Sequence, residues 1–106
     1  MGERPFPTYP HDPTTPVADA EIAGTLTLEG GCLFVTGREG AKHVVVLPDI
    51  AVWDPVTGSV DLGSHSASVG DHVAWGGAYR EADQNSDAPA GCPTTGEWAV
   101  VQAFGG

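Results

Sequence analysis

Ile22-Ala23-Gly24-Thr25-Leu26-Thr27-Leu28-Glu29-Gly30-Gly31-Cys32-Leu33-Phe34-Val35 is the stretch on which the fold turns. Ile22, Gly24, Leu26 and Leu28 fall on one side of an extended chain, and Ala23, Thr25 and Thr27 on the other. Alternation of this kind marks a strand with one buried face, because successive side chains of an extended backbone point to opposite sides. Glu29-Gly30-Gly31 interrupts it. Two glycines between apolar runs predict a hairpin, since the tight turns that suit twisted strands need φ > 0, which costs glycine nothing. Cys32-Leu33-Phe34-Val35 is then the return strand.

The same alternation of strand and turn continues toward the C-terminus. Thr36-Gly37-Arg38-Glu39-Gly40-Ala41 is a second turn, and His43-Val44-Val45-Val46-Leu47 a third strand, stopped by Pro48-Asp49. A continuous β-branched run of this kind predicts a strand covered on both faces. Ile50 to Trp53 forms a short extension, Asp54-Pro55-Val56-Thr57-Gly58 is turn chemistry, and Val60 and Leu62 mark a short strand. Gly63 to Ser68 is polar and weakly patterned. Val73, Trp75, Gly77 and Tyr79 then share one face of a longer strand, with His72, Ala74, Ala78 and Arg80 on the other. A polar loop runs from Glu81 to Glu97, and the last strand, Trp98 to Phe104, is apolar on both faces and so central. No window supports an amphipathic helix longer than a turn or two.

Toward the N-terminus the pattern stops. From Pro5 to Pro16 a proline recurs every two to three residues. Each fixes φ and removes an N–H donor, so this segment is expected to be extended and to form neither helix nor central strand. Phe6 and Tyr9 give it two aromatic handles for a partner, or for its own domain. The expected architecture is therefore all-β: a small antiparallel barrel, closed or partly open and OB-like, of five to seven short strands. Residues 1–18 form a Pro-rich extended arm and residues 19–106 a single barrel domain. A barrel is favoured over an open sheet because closure removes exposed edges, and Gly24, Gly76 and Gly77 suit the bends that closure needs.

Val69-Gly70-Asp71-His72-Val73 resembles the Val-Gly-Asp-x-Val entry into a strand seen in many OB-like and SH3-like barrels. Over residues 22–104 the chain also resembles small uncharacterised actinobacterial β-barrel proteins. The residues that carry this likeness are Gly24-Thr25-Leu26 with Glu29-Gly30-Gly31-Cys32-Leu33, then Val69-Gly70-Asp71 with Gly76-Gly77, and Pro89-Ala90-Gly91-Cys92. The resemblance implies a fold and no activity. Scarce lysine beside abundant Gly, Ala, Val and Pro fits a GC-rich genome, such as that of an actinobacterium or of a virus infecting one.

Four Lys and Arg stand against 14 Asp and Glu, a formal net charge of -10. Arg4, Arg38, Lys42 and Arg80 are scattered, so nothing gathers into a basic patch that would hold nucleic acid or an anionic membrane against that repulsion. No apolar run approaches the roughly 20 residues of a membrane helix. Met1-Gly2-Glu3-Arg4 leads into prolines and not into an apolar segment, so no secretory signal is read here. The expected setting is cytoplasmic or particle-associated, or exported if this is a mature form.

Candidates for chemistry are few. Cys32 and Cys92 would close a loop of about 60 residues as a disulfide, worth ~4 kcal/mol by chain entropy. The rival reading is two reduced thiols in a cytoplasmic protein; the bridge is the one expected. His65, Asp71 and His72 are conceivable as a metal or acid–base pocket, but histidines at strand ends are more often solvated. Ser64-His65-Ser66 lacks a nucleophile elbow. Asp83-Gln84-Asn85-Ser86-Asp87 has the oxygen spacing of a calcium loop but puts Ala88 where glycine belongs and Thr94 where the bidentate glutamate belongs. No metal, cofactor or catalytic residue is assigned. Trp75 and Trp98 read as core, and Trp53 as the best candidate for exposure. The leading expectation is a non-catalytic structural or protein-binding module, a subunit of a virion, particle or cell-envelope complex. It would contact a protein partner or its own copies through Phe6, Tyr9 and Trp53. The alternative is a small-ligand or glycan-binding barrel using Trp53, Tyr79 and the 81–97 loop.

Overall fold

The computed structural model describes residues 4–11, 20–63, 65–82 and 88–103. Among them every regular element is a strand: β1 (Thr8–Tyr9), β2 (Ala20–Glu29), β3 (Cys32–Thr36), β4 (Lys42–Pro48), β5 (Val52–Asp54), β6 (Ser59–Asp61), β7 (Ser66–Ser68), β8 (His72–Glu81) and β9 (Glu97–Ala103). Five of these close a barrel. β2 pairs with β3, β3 with β4, β4 with β9, β9 with β8, and β8 returns to β2. Read by order along the chain, the ring runs first, second, third, fifth, fourth, the connectivity of an OB-like barrel.

The expected hairpin is present. Glu29 and Cys32 pair across it, and Gly30 and Gly31 take φ of 60° and 82° in the two-residue loop. Positive φ at both central residues is what a type I′ turn requires. Four of the five pairings in the ring are antiparallel, but the closing pair is not. Val44, Val45 and Val46 of β4 lie parallel to Trp98, Ala99 and Val100 of β9. A parallel pair needs a long crossover, and here β5 to β8 supply it.

That crossover holds a second sheet, in the order β5-β6-β7. Val60, Leu62 and Ala67 turn inward and join the barrel core around Ile22, Leu26, Val45, Leu47, Val73, Trp75 and Val101. β7 occupies part of the stretch whose pattern looked weak. Only Ala67 is apolar in Ser66-Ala67-Ser68, too little for periodicity to show. A smaller cluster lies on the outer face of β4 and β9: Cys32, Val44, Val46, Cys92, Trp98 and Val100. So β4 and β9 are apolar on both faces because both faces are covered, as the continuous runs predicted.

Candidate functional site

The arm is the feature that sets this barrel apart, and its described part lies against its own domain. β3 and β4 pair from Thr36↔Lys42 to Phe34↔Val44, and no further. Beyond that point the two strands form a seam. The Leu33 amide donates to the Pro5 carbonyl at 2.6 Å, the Leu47 amide to Pro7 at 3.1 Å, and the Asp49 amide to Tyr9 at 2.9 Å. β1 runs parallel to β4 there, with Thr8 opposite Leu47 and Tyr9 opposite Pro48. A two-residue strand at the end of the sheet order fits a segment expected to be extended but to form no central strand. The prolines allow it through the direction of the bonds: proline lacks an N–H but keeps its carbonyl, and in these three bonds the arm accepts.

The two aromatics face opposite ways. Phe6 is 1% exposed and joins the inner core with Leu33 and Leu47. Tyr9 packs on the outer cluster, and its hydroxyl donates to the Val101 carbonyl of β9 at 2.6 Å. Burial, and then the nearby Asp49 carboxylate, hold the Tyr9 phenol above its ordinary value. Arg4 Nη1 donates to the Asp49 carbonyl at 3.1 Å, and the His11 amide to Asp49 Oδ1 at 3.2 Å. The handles read as partner-binding thus engage the molecule's own barrel, one of the two placements the arm allowed.

Beside the arm sits the disulfide. Cys32 and Cys92 are bonded, with Cα atoms 5.0 Å apart. Of the two readings open for these cysteines, the bridge holds. It ties the start of β3 to the β8–β9 loop. Gly91 makes that approach possible: a Cβ there would collide with the Gly30 carbonyl, so the loop presses on the hairpin turn only because it has none. The loop covers Trp98, whose indole N–H donates to the Pro93 carbonyl at 3.2 Å.

The remaining candidates disperse. Trp53 is half-buried, packed on the inner core from the second sheet. Tyr79 is 39% exposed on β8, meets the His43 ring in a tilted contact with centroids 4.9 Å apart, and donates to the Glu21 carbonyl. Trp75 and Trp98 are core. Residues 83–87, and with them the calcium-like loop, lie outside the described residues, as does Ser64. His65, Asp71 and His72 do line one open cleft of about 310 Å³. Asp71 there caps a turn by accepting from the Ser68 amide at 2.9 Å. Among the described residues no group of three His, Cys, Asp or Glu is arranged to hold a metal. A second groove of about 440 Å³ crosses the outer face of β2 and β8, lined by Glu21, Ala23, Thr25, Thr36, Arg38 and His72.

The site has members that sequence reasoning did not name: Leu33, Leu47, Asp49 and Val101. All four contribute main-chain groups, which side-chain patterning does not reveal; only Asp49, which adds its carboxylate and follows the strand-ending Pro48, left a trace. Compared with protein-family models, with curated proteins and with solved structures, the chain matches none.

Proposed function

We propose that this protein is a non-catalytic structural or protein-binding module, an accessory subunit of a larger assembly such as a virion or a cell-envelope complex, engaged through the side that bears the arm. The observation that carries the reading is the way the arm is held. Carbonyls of Pro5, Pro7 and Tyr9 accept from barrel amides while Phe6 fills a core site. This is how a receptor takes an extended peptide: main-chain bonds hold it and one side-chain pocket selects it. Further support comes from the end strand β5, where Val52 is 64% exposed and the adjoining turn leaves Val56 90% exposed.

Small-ligand binding is the second reading, favoured by the groove on β2 and β8. Its lining has no Trp, Tyr or Phe on which a sugar ring could stack, and Trp53 and Tyr79 belong to different sheets.

The test is retention of native partners on immobilised protein. The wild-type chain is expected to retain a defined protein from its source cells that a Phe6→Ala/Tyr9→Ala chain does not. Identical retention by both, or retention of nothing, would overturn the reading.

A further inference from the structure

We propose that the β3–β4 seam is a strand-acceptor site that also takes the arm of a second copy of this chain, so that two copies exchange arms. The proposal rests on the reading of the arm as the contact element and gives it a partner.

The seam cannot be left empty without loss. Without an arm, the amides of Leu33, Leu47 and Asp49 lose their acceptors and the core loses the ring of Phe6. Leu33 and Leu47 are buried, and buried donors without partners and voids lined by core side chains are both destabilising. Something extended, with carbonyls in this register and an aromatic at the Phe6 position, must therefore occupy it.

A second copy carries that segment. The contacts of residues 4–11 with the barrel include three main-chain bonds, the Phe6 ring, the Tyr9 hydroxyl on Val101, the Arg4 and His11 bonds to Asp49, and the Cys92 sulfur against the Pro5 carbonyl, all non-covalent. The same set forms whether the arm arrives from within or from a neighbour. Charge selects for it as well. Residues 4–11 hold Arg4 and no carboxylate, +1, so the rest of a chain of net -10 carries -11. Arg4 donates to the Asp49 main-chain carbonyl, and Tyr9 lies near the Asp49 carboxylate. A generic acidic peptide, or another stretch of this acidic chain, would be repelled there.

Exchange between two copies closes on itself. Each arm fills the other's seam, no acceptor is left over, and the pair is two-fold symmetric. The tethered arm has the advantage of its own effective concentration, so the exchanged form gains as the protein is concentrated.

The probe is a fluorescent peptide of residues 1–11, and the receptor is the full chain with Phe6→Ala, whose own arm docks poorly. Saturable capture is expected, with a Phe6→Ala peptide weaker by roughly a hundredfold. Because the variant receptor could fail to fold, the unmodified chain is tested too. Isotopically heavy and light wild-type protein are mixed at high concentration and examined by native mass spectrometry. Mixed dimers are expected, and their loss in Phe6→Ala. No capture by a folded variant would overturn the proposal, and so would capture without mixed dimers. If the variant is unfolded, wild-type protein that stays monomeric overturns it. Failure here with an arm-dependent native partner retained would sink the exchange alone. Exchange with no such partner would sink the larger-assembly reading alone.

Discussion

The outer face of β4 and β9 is covered, and the outer face of β2 and β8 is bare. Val44, Val46, Trp98 and Val100 point outward on the first, large apolar side chains that need shelter, and the disulfide, the β8–β9 loop and Tyr9 give it. Ala23, Thr25, His72 and Ala74 point outward on the second, small or polar, and they line an open groove. Both faces belong to one ring of strands around one interior. The comparison teaches that the covering elements are matched to what faces out and not to the barrel itself. The arm goes further than the others, because Phe6 reaches through the seam into the inner core.

The largest effect should come from the bridge. Replacing Cys32 and Cys92 by serine removes the cross-link over a sequence separation of 60, which should cost ~4 kcal/mol in urea unfolding. A loss below about 1 kcal/mol would mean that the loop is held by its packing alone. Phe6→Ala comes next, at about 3 kcal/mol for an aromatic deleted from a core. If it cost no more than a surface substitution, the arm would be a covering and not part of the core.

Tyr9→Phe is smaller. It leaves the ring and removes the hydroxyl from the Val101 carbonyl, for ~1 kcal/mol. The same hydroxyl sets a pH dependence. The folded state keeps the phenol protonated beyond its ordinary value. Its contribution is therefore whole below the range around pH 10, where an unfolded tyrosine is half ionised, and is lost as pH rises through the folded value. Tyr9→Phe should flatten that part of the stability profile. An unchanged profile would assign the effect elsewhere.

The bare face should yield least. Arg38→Ala and His72→Ala are expected to stay within about 0.5 kcal/mol of wild type. A loss comparable to that of Phe6→Ala would erase the contrast between the two faces.

Much of the ring was legible because its strands differ in how they alternate. Ile22, Gly24 and Leu26 against Ala23 and Thr25 mark a strand with one buried face. Val44 to Leu47 and Trp98 to Val101 mark strands buried on both. Gly30-Gly31 fixed the first hairpin by backbone sterics alone. The parallel closure of β4 on β9 was not legible, since nothing local to either strand records so distant a partner. β7 was hidden because its inward residue is a single alanine. The arm was legible as extended and aromatic, but its docking depends on carbonyls that every residue carries, so the sequence could name Phe6 and Tyr9 and not Leu33 or Leu47.

Hydrogen exchange at three amides tests most directly whether the arm completes the barrel. The amides of Leu33, Leu47 and Asp49 should be protected in the wild-type chain and should lose protection together in Phe6→Ala, while those of β2 and β8 change far less. Wild-type amides at these positions exchanging as fast as an open loop, or keeping their protection in a folded Phe6→Ala chain, would contradict the account.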